Sequence, residues 1–190
     1  MAILKIARMG HPVLRTPALP IEDPTAPEVQ HLIVDMYETM LDAAGAGLAA
    51  NQVHVTRRLV LFRGAVEGVE SDEDVAMPLT VLINPVIEPL GEAMSDDWEG
   101  CLSVPGLRGL VPRYECIRYR GQAPDGSPID RVADGYHARV VQHECDHLDG
   151  ILYPQRVTDL SKLVFDSEYH HIRAEAQAAQ AGETETEAAE

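Results

Sequence analysis

The sequence is poor in cysteine and in basic charge, and each shortage excludes a class of protein. It has only three cysteines, an odd number, so a disulfide framework like those of small secreted proteins is not expected. Fifteen basic residues stand against 31 acidic ones, and the formal charge of -16 repels nucleic acid phosphates and anionic lipid. We therefore expect no binding to DNA and none to membrane surfaces.

Long apolar runs are also missing. The first ten residues, MAILKIARMG, interrupt a short apolar stretch with Lys5 and Arg8, unlike the core of a secretory signal. No run approaches the roughly 20 apolar residues of a membrane span. These absences predict a cytoplasmic protein, and 190 residues suffice for one domain that folds without a metal or a disulfide.

The N-terminal part predicts a helix over residues 25–45. Thr25 and Glu28 have the spacing of a capping box, and Gly45 is a plausible end. Apolar residues recur at helical spacing between them: Val29, Leu32, Ile33, Met36, Tyr37, Met40 and Leu41.

The rest of the chain predicts an α+β fold. Residues 57–134 contain short β-branched runs broken by proline and glycine, as in antiparallel strands and turns. A second helix is predicted from His137 to Leu148, and a third from Asp159 through Arg173. Antiparallel strands would thus pack around a central helix, with an N-terminal and a C-terminal helix.

Two acidic segments fall outside these elements. Residues 69–77, VESDEDVAM, predict a solvated loop. Residues 174–190 are rich in alanine and glutamate, have no basic residue and offer no apolar face, so we expect a disordered tail. Residues 1–173 would then form a single domain.

The segment QHECDHLDG, residues 142–150, carries the strongest chemical signal. On a helix, His143 and His147 lie about 40° apart on one face, so that both imidazoles can bind one metal ion. Glu144 flanks that face without ligating the ion. A metal hydrolase uses this arrangement, because the ion lowers the pKa of a bound water toward about 7 and the carboxylate takes the proton.

Two histidines leave the third ligand to be found. The extended metzincin pattern needs a histidine at position 153, where this chain has Tyr153. A thermolysin-like site would use a downstream carboxylate, for which Glu168 or Glu175 is available.

Cys101, in DDWEGCLSVPG, is the better candidate for the third ligand. A thiolate with two imidazoles gives three protein ligands and leaves one position open for water. The competing interpretation is a buried cysteine that acts as a small hydrophobe, which we assign to Cys116 and Cys145.

A second element is the small-residue segment GAGLAANQ, residues 45–52. Gly45 and Gly47 would let a substrate backbone come close, and an extended peptide would add as a strand beside Ala46. Gln52 would donate a hydrogen bond to a carbonyl oxygen that becomes negatively charged. An ordinary helix exit and turn is the alternative.

Taken together and in this order, GAGLAANQ, EGCLS and QHECDH closely resemble the signature blocks of bacterial peptide deformylases. The resemblance includes GHPVLR, residues 10–15, and spans roughly residues 3–165. It implies a cytoplasmic metal-dependent hydrolase that removes the N-formyl group from the formylmethionine of newly made polypeptides, releasing formate. It also implies an α+β catalytic domain with a metal-bearing helix against antiparallel strands.

The resemblance also assigns roles to residues. It makes Cys101, His143 and His147 the metal ligands and Glu144 the general acid and base. The oxyanion would be held by Gln52 and by the backbone N–H of Leu102.

Substrate contacts follow from the same resemblance. Ala46 and Gly100 would pair with the peptide backbone, and Arg108 would lie near the entrance. Val140, on the helical face of the two histidines, would line an apolar pocket for methionine. Glu99 and Asp146 would fix the orientation of the ligands, although a surface ion pair explains Asp146 nearly as well.

The family implies Fe²⁺ as the working metal, whereas intrinsic affinity favours Zn²⁺ for a thiolate with two imidazoles. A purified sample would also accept Ni²⁺ or Co²⁺. The expected partners are formylmethionyl nascent peptides. Bacterial relatives approach the ribosome through a basic C-terminal helix, so any ribosome proximity here would not use the acidic tail. A metallopeptidase and a non-catalytic, redox-sensing metal module stay open as alternatives.

Overall fold

A computed structural model describes residues 2–63 and 79–174, which contain two α-helices and eight strands. The predicted loop at residues 69–77 and nearly all of the predicted tail lie outside the described residues. The helices are α1 (Pro27–Asp42) and α2 (Gly135–Leu148). The strands are β1 (Gly47–Ala49), β2 (Leu59–Phe62), β3 (Thr80–Pro89), β4 (Met94–Cys101), β5 (Val104–Tyr114), β6 (Cys116–Gln122), β7 (Pro128–Asp134) and β8 (Leu163–Phe165).

The strands form two antiparallel sheets. Five strands form one sheet in the order β1-β2-β3-β6-β7, and three form the other in the order β4-β5-β8. Every strand pairing in both sheets is antiparallel, as predicted for residues 57–134. Strands β1 and β4 are therefore edge strands, each with one side of its backbone unpaired by these sheets.

The five-stranded sheet is covered on both faces, which explains why all four residues of β2 are buried. Val60 and Phe62 pack with α2, whereas Leu59 and Leu61 pack with residues of α1. This alternation follows from the two-residue period of a strand.

Helix α2 is central, as predicted. Ten of its fourteen residues are buried, and it contacts β1, β2 and β7 on one side and β5 on the other. Its apolar residues join the cluster beneath the five-stranded sheet, whereas its buried Arg139 and Gln142 bond to residues of the three-stranded sheet. The helix begins at Gly135, two residues before the predicted start.

The predicted capping box of the first helix is wrong. The Oγ1 atom of Thr25 donates to Asp23, 2.6 Å away, and the N-cap residue is Ala26, which has no side-chain hydrogen bond. Pro27 starts the helix instead, because its fixed φ suits the first helical position. The helix ends at Asp42, three residues before the predicted limit, and Ala44 takes the left-handed conformation with φ 51°.

The predicted third helix is also wrong over most of its length. Asp159 caps a single 3-10 turn, Leu160–Lys162, by accepting a hydrogen bond from Ser161 N. The chain then forms β8, which pairs with Leu107–Gly109 of β5. Only residues 169–174 are helical, because pairing with β5 overrides the local helical preference.

The three cysteines are free thiols, in agreement with the sequence. Cys145 is buried in the α2 cluster and Cys116 is half-buried at the start of β6. In the parts of the chain that the structure describes, no helix is long and apolar enough to cross a membrane.

Candidate active site

The structure brings Cys101, His143 and His147 together. The ligand atoms of these three residues, one from each, lie within 4.8 Å of one another, and Cys101 Sγ lies 3.3 Å from His147 Nε2. The two histidines project from successive turns of α2. Cys101 reaches them because β4 ends there in a two-residue turn, after which Val104 pairs with Cys101 across the hairpin.

The donor set suits a tetrahedral metal ion. Metal–sulfur and metal–nitrogen bonds of about 2.3 and 2.0–2.1 Å would place a tetrahedral sulfur and nitrogen about 3.5 Å apart, close to the 3.3 Å between Cys101 Sγ and His147 Nε2. The alternative carboxylate ligand fails, because Glu168 is exposed and bonds Ser167. Glu175 lies outside the described residues. Tyr153, at the metzincin position, is buried and stacks 6.2 Å from the ring of His143.

Glu99 fixes the orientation of His143. His143 Nδ1 lies 2.8 Å from Glu99 Oε2, and because an ionised carboxylate only accepts, the imidazole donates there and leaves Nε2 free for a metal. Burial would raise the pKa of Glu99, but hydrogen bonds from His143 and Arg113 outweigh it and hold the pKa far below its usual range. Burial would lower the pKa of His143, yet its bonds to Cys101 and Glu99 raise it. The placement of Glu99 agrees with its predicted role.

Two buried arginines hold Glu99, and neither was predicted from the sequence. Arg113 donates two hydrogen bonds to the Glu99 carboxylate, at 2.9 and 3.0 Å, and Arg139 donates a third at 3.0 Å. Arg139 precedes His143 by one helical turn, so the spacing along α2 was a usable signal. The sequence contained no such signal for Arg113, because only the folded β5 brings this residue beneath α2.

Asp146 is connected to His143 through other side chains. It is buried and accepts hydrogen bonds from Arg113 and Arg156. Arg113 therefore bridges Asp146 to Glu99, and Glu99 contacts His143. The sequence also allowed Asp146 to form an ion pair at the protein surface. Its pair with Arg113 is instead buried, since the Arg113 side chain is only 4% exposed.

Glu144 packs against the small-residue segment. It is buried, and its Oε2 has no hydrogen-bond partner among the described residues. A side chain at position 47 would overlap Glu144, since a Cβ there would lie 2.6 Å from Glu144 Cδ. Burial raises the pKa of Glu144 to about 7. A carboxyl group with such a pKa can both accept and release a proton near neutral pH.

Gln52 faces the sulfur of Cys101. Its Oε1 accepts a hydrogen bond from Ala49 N at 2.8 Å, which fixes the amide so that Nε2 points away from that backbone. Nε2 then donates to Ser103 Oγ at 3.1 Å and lies 3.5 Å from Cys101 Sγ. Ser103 was not predicted, although it belongs to the same EGCLS block.

The predicted substrate residues surround this group. Gly45 is buried against the side chain of Leu102, where a Cβ would lie 2.9 Å from Cδ1. Packing within the protein thus accounts for glycine at positions 45 and 47, and close approach of a substrate stays a prediction. Ala46 precedes the edge strand β1, and Gly100 lies in the edge strand β4 with open space where a Cβ would be.

Two other predicted residues have different surroundings. Val140 is 7% exposed and belongs to the cluster between α2 and the five-stranded sheet. Arg108 is half-buried on β5 and forms an ion pair with Asp166, 2.6 Å away.

A cysteine, two histidines and a buried glutamate on an α+β scaffold define a metal-dependent hydrolase. A sequence model of the polypeptide deformylase family matches residues 3–163. Peptide deformylase 1 of Bordetella pertussis is 57% identical over 157 residues, 83% of this chain and 89% of that protein. Peptide deformylase 2 of Ralstonia nicotianae is 54% identical over 86% of this chain and 92% of its own.

Solved structures agree. A class I type b peptide deformylase from Acinetobacter baumannii, bound to Met-Ala-Ser, has a TM-score of 0.78 at 34% identity, covering 82% of this chain and 99% of its own. A peptide deformylase from Synechococcus elongatus, in complex with actinonin, has a TM-score of 0.75 at 36% identity, covering 85% of this chain and 82% of its own.

The chain belongs to the polypeptide deformylase family. It is a hydrolase of protein biosynthesis that removes the N-formyl group from the N-terminal formylmethionine of newly made polypeptides, releasing formate. The family depends on a metal, and the group of Cys101, His143 and His147 can hold one. The predicted fold class, α+β, is confirmed by these neighbours.

Proposed function

We propose that Cys101, His143 and His147 bind the catalytic metal ion and that Glu144 is the general acid and base of deformylation. The main support is the 3.3 Å contact between Cys101 Sγ and His147 Nε2, which brings the end of β4 to the histidines of α2. Three protein ligands leave one position of a tetrahedral ion for water or substrate. When bound, the ion acts as a Lewis acid and lowers the pKa of water, which supplies the nucleophile.

Glu144 moves the protons of the reaction. Its carboxylate takes a proton from the attacking water and then delivers it to the nitrogen of the departing amine. The pKa of about 7, which burial produces, suits both steps. The unpartnered Oε2 gives Glu144 a carboxylate oxygen that is not already committed to another described residue.

Gln52 and Leu102 stabilise the oxygen that becomes negatively charged. The N–H of Gln52 that faces Cys101 can turn to this oxygen, while Ala49 holds the rest of the amide. The backbone N–H of Leu102 follows Cys101 directly and supplies the second donor. Such donors are effective because they are positioned before the charge develops.

The substrate enters as an extended strand between the two edge strands. We assign the backbone pairing with the peptide to Gly100, in β4, and to Ala46, which precedes β1 and is flanked by Gly45 and Gly47. Methionine then points inward along α2 toward Val140, and Arg108 lies at the entrance. The Acinetobacter baumannii peptide deformylase was solved with Met-Ala-Ser bound, which supports a peptide as the ligand of this fold.

Fe²⁺ is the proposed physiological metal. A thiolate and two imidazoles bind Zn²⁺ more tightly by intrinsic affinity, so a purified sample also contains Zn²⁺, Ni²⁺ or Co²⁺ according to supply. Elemental analysis together with anaerobic turnover for each metal distinguishes the two ions. Higher turnover with Zn²⁺ than with Fe²⁺ would contradict the assignment.

We further propose a single catalytic domain over residues 1–173 and an acidic tail over 174–190, in a cytoplasmic enzyme. The match of the family to residues 3–163 supports the domain limits. Formylmethionyl nascent peptides are the partners. The tail, which has no basic residue, does not carry any contact with the ribosome, and the net charge of -16 disfavours DNA and membrane surfaces.

The test is formate release from formyl-Met-Ala-Ser by the iron-loaded protein. Cys101→Ser and Glu144→Ala should each nearly abolish release, and only the first should lower the metal content. Glu168→Gln is the control, since Glu168 is exposed, and it should leave both quantities unchanged. Internal cleavage of the peptide would indicate a peptidase, and metal binding without any formate release would indicate a non-catalytic metal module. Full activity of metal-loaded Glu144→Ala would refute the role of Glu144.

A further inference from the structure

The outer face of the three-stranded sheet carries an aromatic cluster close to the site. Trp98 of β4 packs edge-on against Tyr169, with ring centroids 5.1 Å apart. The guanidinium of Arg108 lies 5.2 Å from the centre of the Tyr169 ring and forms an ion pair with Asp166. We name Trp98, Arg108, Asp166 and Tyr169 the outer cluster.

The outer cluster and the catalytic group lie on opposite faces of β4. Glu99 is buried and faces His143, so its neighbours along the strand, Trp98 and Gly100, face the other way. Arg108 directly precedes Gly109 on β5, and Gly109 lies opposite Glu99, so the Arg108 side chain points to the face of Trp98. Trp98 and Gly100 are two residues apart, about 6.6 Å along an extended strand.

We propose that the outer cluster binds the side chain of the second residue of the formylmethionyl substrate. This inference rests on the proposed pairing of the peptide with Gly100. Successive side chains of an extended peptide point to opposite faces of the sheet that it joins. If methionine points inward toward the metal, the second side chain points outward, onto the face of Trp98 and Tyr169.

The chemistry of the outer cluster favours an apolar or aromatic side chain. Both rings are half-buried, so each keeps part of its surface available for contact. The charges around them are balanced: Arg108 is paired with Asp166, and Tyr169 is acted on by both Arg173 and Asp97. A ring or a long aliphatic chain therefore gains contact area, whereas a carboxylate gains no net attraction from these balanced charges.

Deformylation of formyl-Met-Phe-Ser and formyl-Met-Gly-Ser by the iron-loaded protein tests this subsite. An aromatic contact of the usual strength predicts a kcat/KM about two- to tenfold higher for the phenylalanine peptide, mainly through KM. Tyr169→Ala should reduce this ratio to about one. Phe165→Ala is the matched control, because Phe165 is an exposed ring of the same segment and is outside the outer cluster, and it should preserve the ratio.

A binding measurement gives a second readout. Trp98 is the only tryptophan of the chain, so its fluorescence reports on the outer cluster directly. Titration with the product Met-Phe-Ser should shift this emission more than titration with Met-Gly-Ser. Equal turnover of the two formyl peptides, or a ratio that Tyr169→Ala leaves intact, overturns the inference. If neither peptide is deformylated, the proposed function fails instead.

Discussion

Replacement of Gly47 by alanine should inactivate the enzyme through Glu144. The added methyl carbon would lie 2.6 and 2.7 Å from Cδ and Cγ of Glu144, whereas carbon atoms normally meet at about 3.5–4.0 Å. The carboxyl group must therefore move by roughly 1 Å. A displacement of that size in a reacting group costs about 100-fold in rate.

The same overlap should lower stability. Overpacking of a buried site costs about 1–3 kcal/mol, and each kcal/mol shifts the Tm of a domain of this size by about 2–4 °C. The assays are formate release with the metal content measured in the same sample, and thermal unfolding followed by circular dichroism. We expect metal content to stay unchanged, because the ligands Cys101, His143 and His147 do not contact Gly47 in the way that Glu144 does.

A double-mutant cycle separates this mechanism from a general defect. In a Glu144→Ala background the overlapping atoms are gone, so Gly47→Ala should cause no further loss of stability. Equal losses of stability in the two backgrounds would refute the reasoning, as would wild-type activity of Gly47→Ala.

Three further outcomes are expected. Glu99→Gln should weaken metal binding about 10- to 100-fold, because the carboxylate that orients His143 is lost, and competition with a chelator measures this; unchanged affinity would contradict the role of Glu99. Gln52→Leu should lower kcat about 100- to 1000-fold with the metal retained. It should also destabilise the fold by about 1–3 kcal/mol, because Ala49 N loses its acceptor. A change in KM alone would argue against an oxyanion donor. In the metal-free folded protein, the pKa of Glu144 is about 7, compared with 4.5 for an ordinary glutamate. Between these two pH values the folded state keeps a proton that the unfolded chain loses, so stability falls as the pH rises through this window. Glu144→Gln should remove this loss, so its advantage over the wild type in free energy of unfolding should grow across the window, toward about 3 kcal/mol. Denaturant unfolding at several pH values measures this, and a constant difference would show that Glu144 does not titrate there.

The parts of the site that could be predicted are those whose geometry is local. The positions of His143, Glu144 and His147 follow from helical periodicity alone, since residues four apart share a face. Gln52 and Cys101 were singled out by residue chemistry, and the order of three short motifs indicated the family. None of these steps required knowledge of distant contacts.

The errors come from contacts between residues far apart in the chain. The segment after Asp159 has a cap and apolar residues, as a helix would, yet Leu163–Phe165 pairs with Leu107–Gly109, more than fifty residues earlier. Hydrogen bonds to that neighbouring strand replace those of a helix. The same limitation hid Arg113, because an arginine in a strand is normally exposed and only the packing of β5 under α2 buries it.

The sequence alone thus determined the chemical groups, their local spacing on one helix, the α+β class and the strongly acidic net charge. Only the tertiary structure decided that Cys101 lies 3.3 Å from His147, that Glu99, held by two buried arginines, contacts His143, and that Gly47 makes room for Glu144. The physical reason is that helical spacing is set by backbone geometry within a few residues. The meeting of β4, β5 and α2 depends instead on how the whole chain buries its apolar and charged side chains.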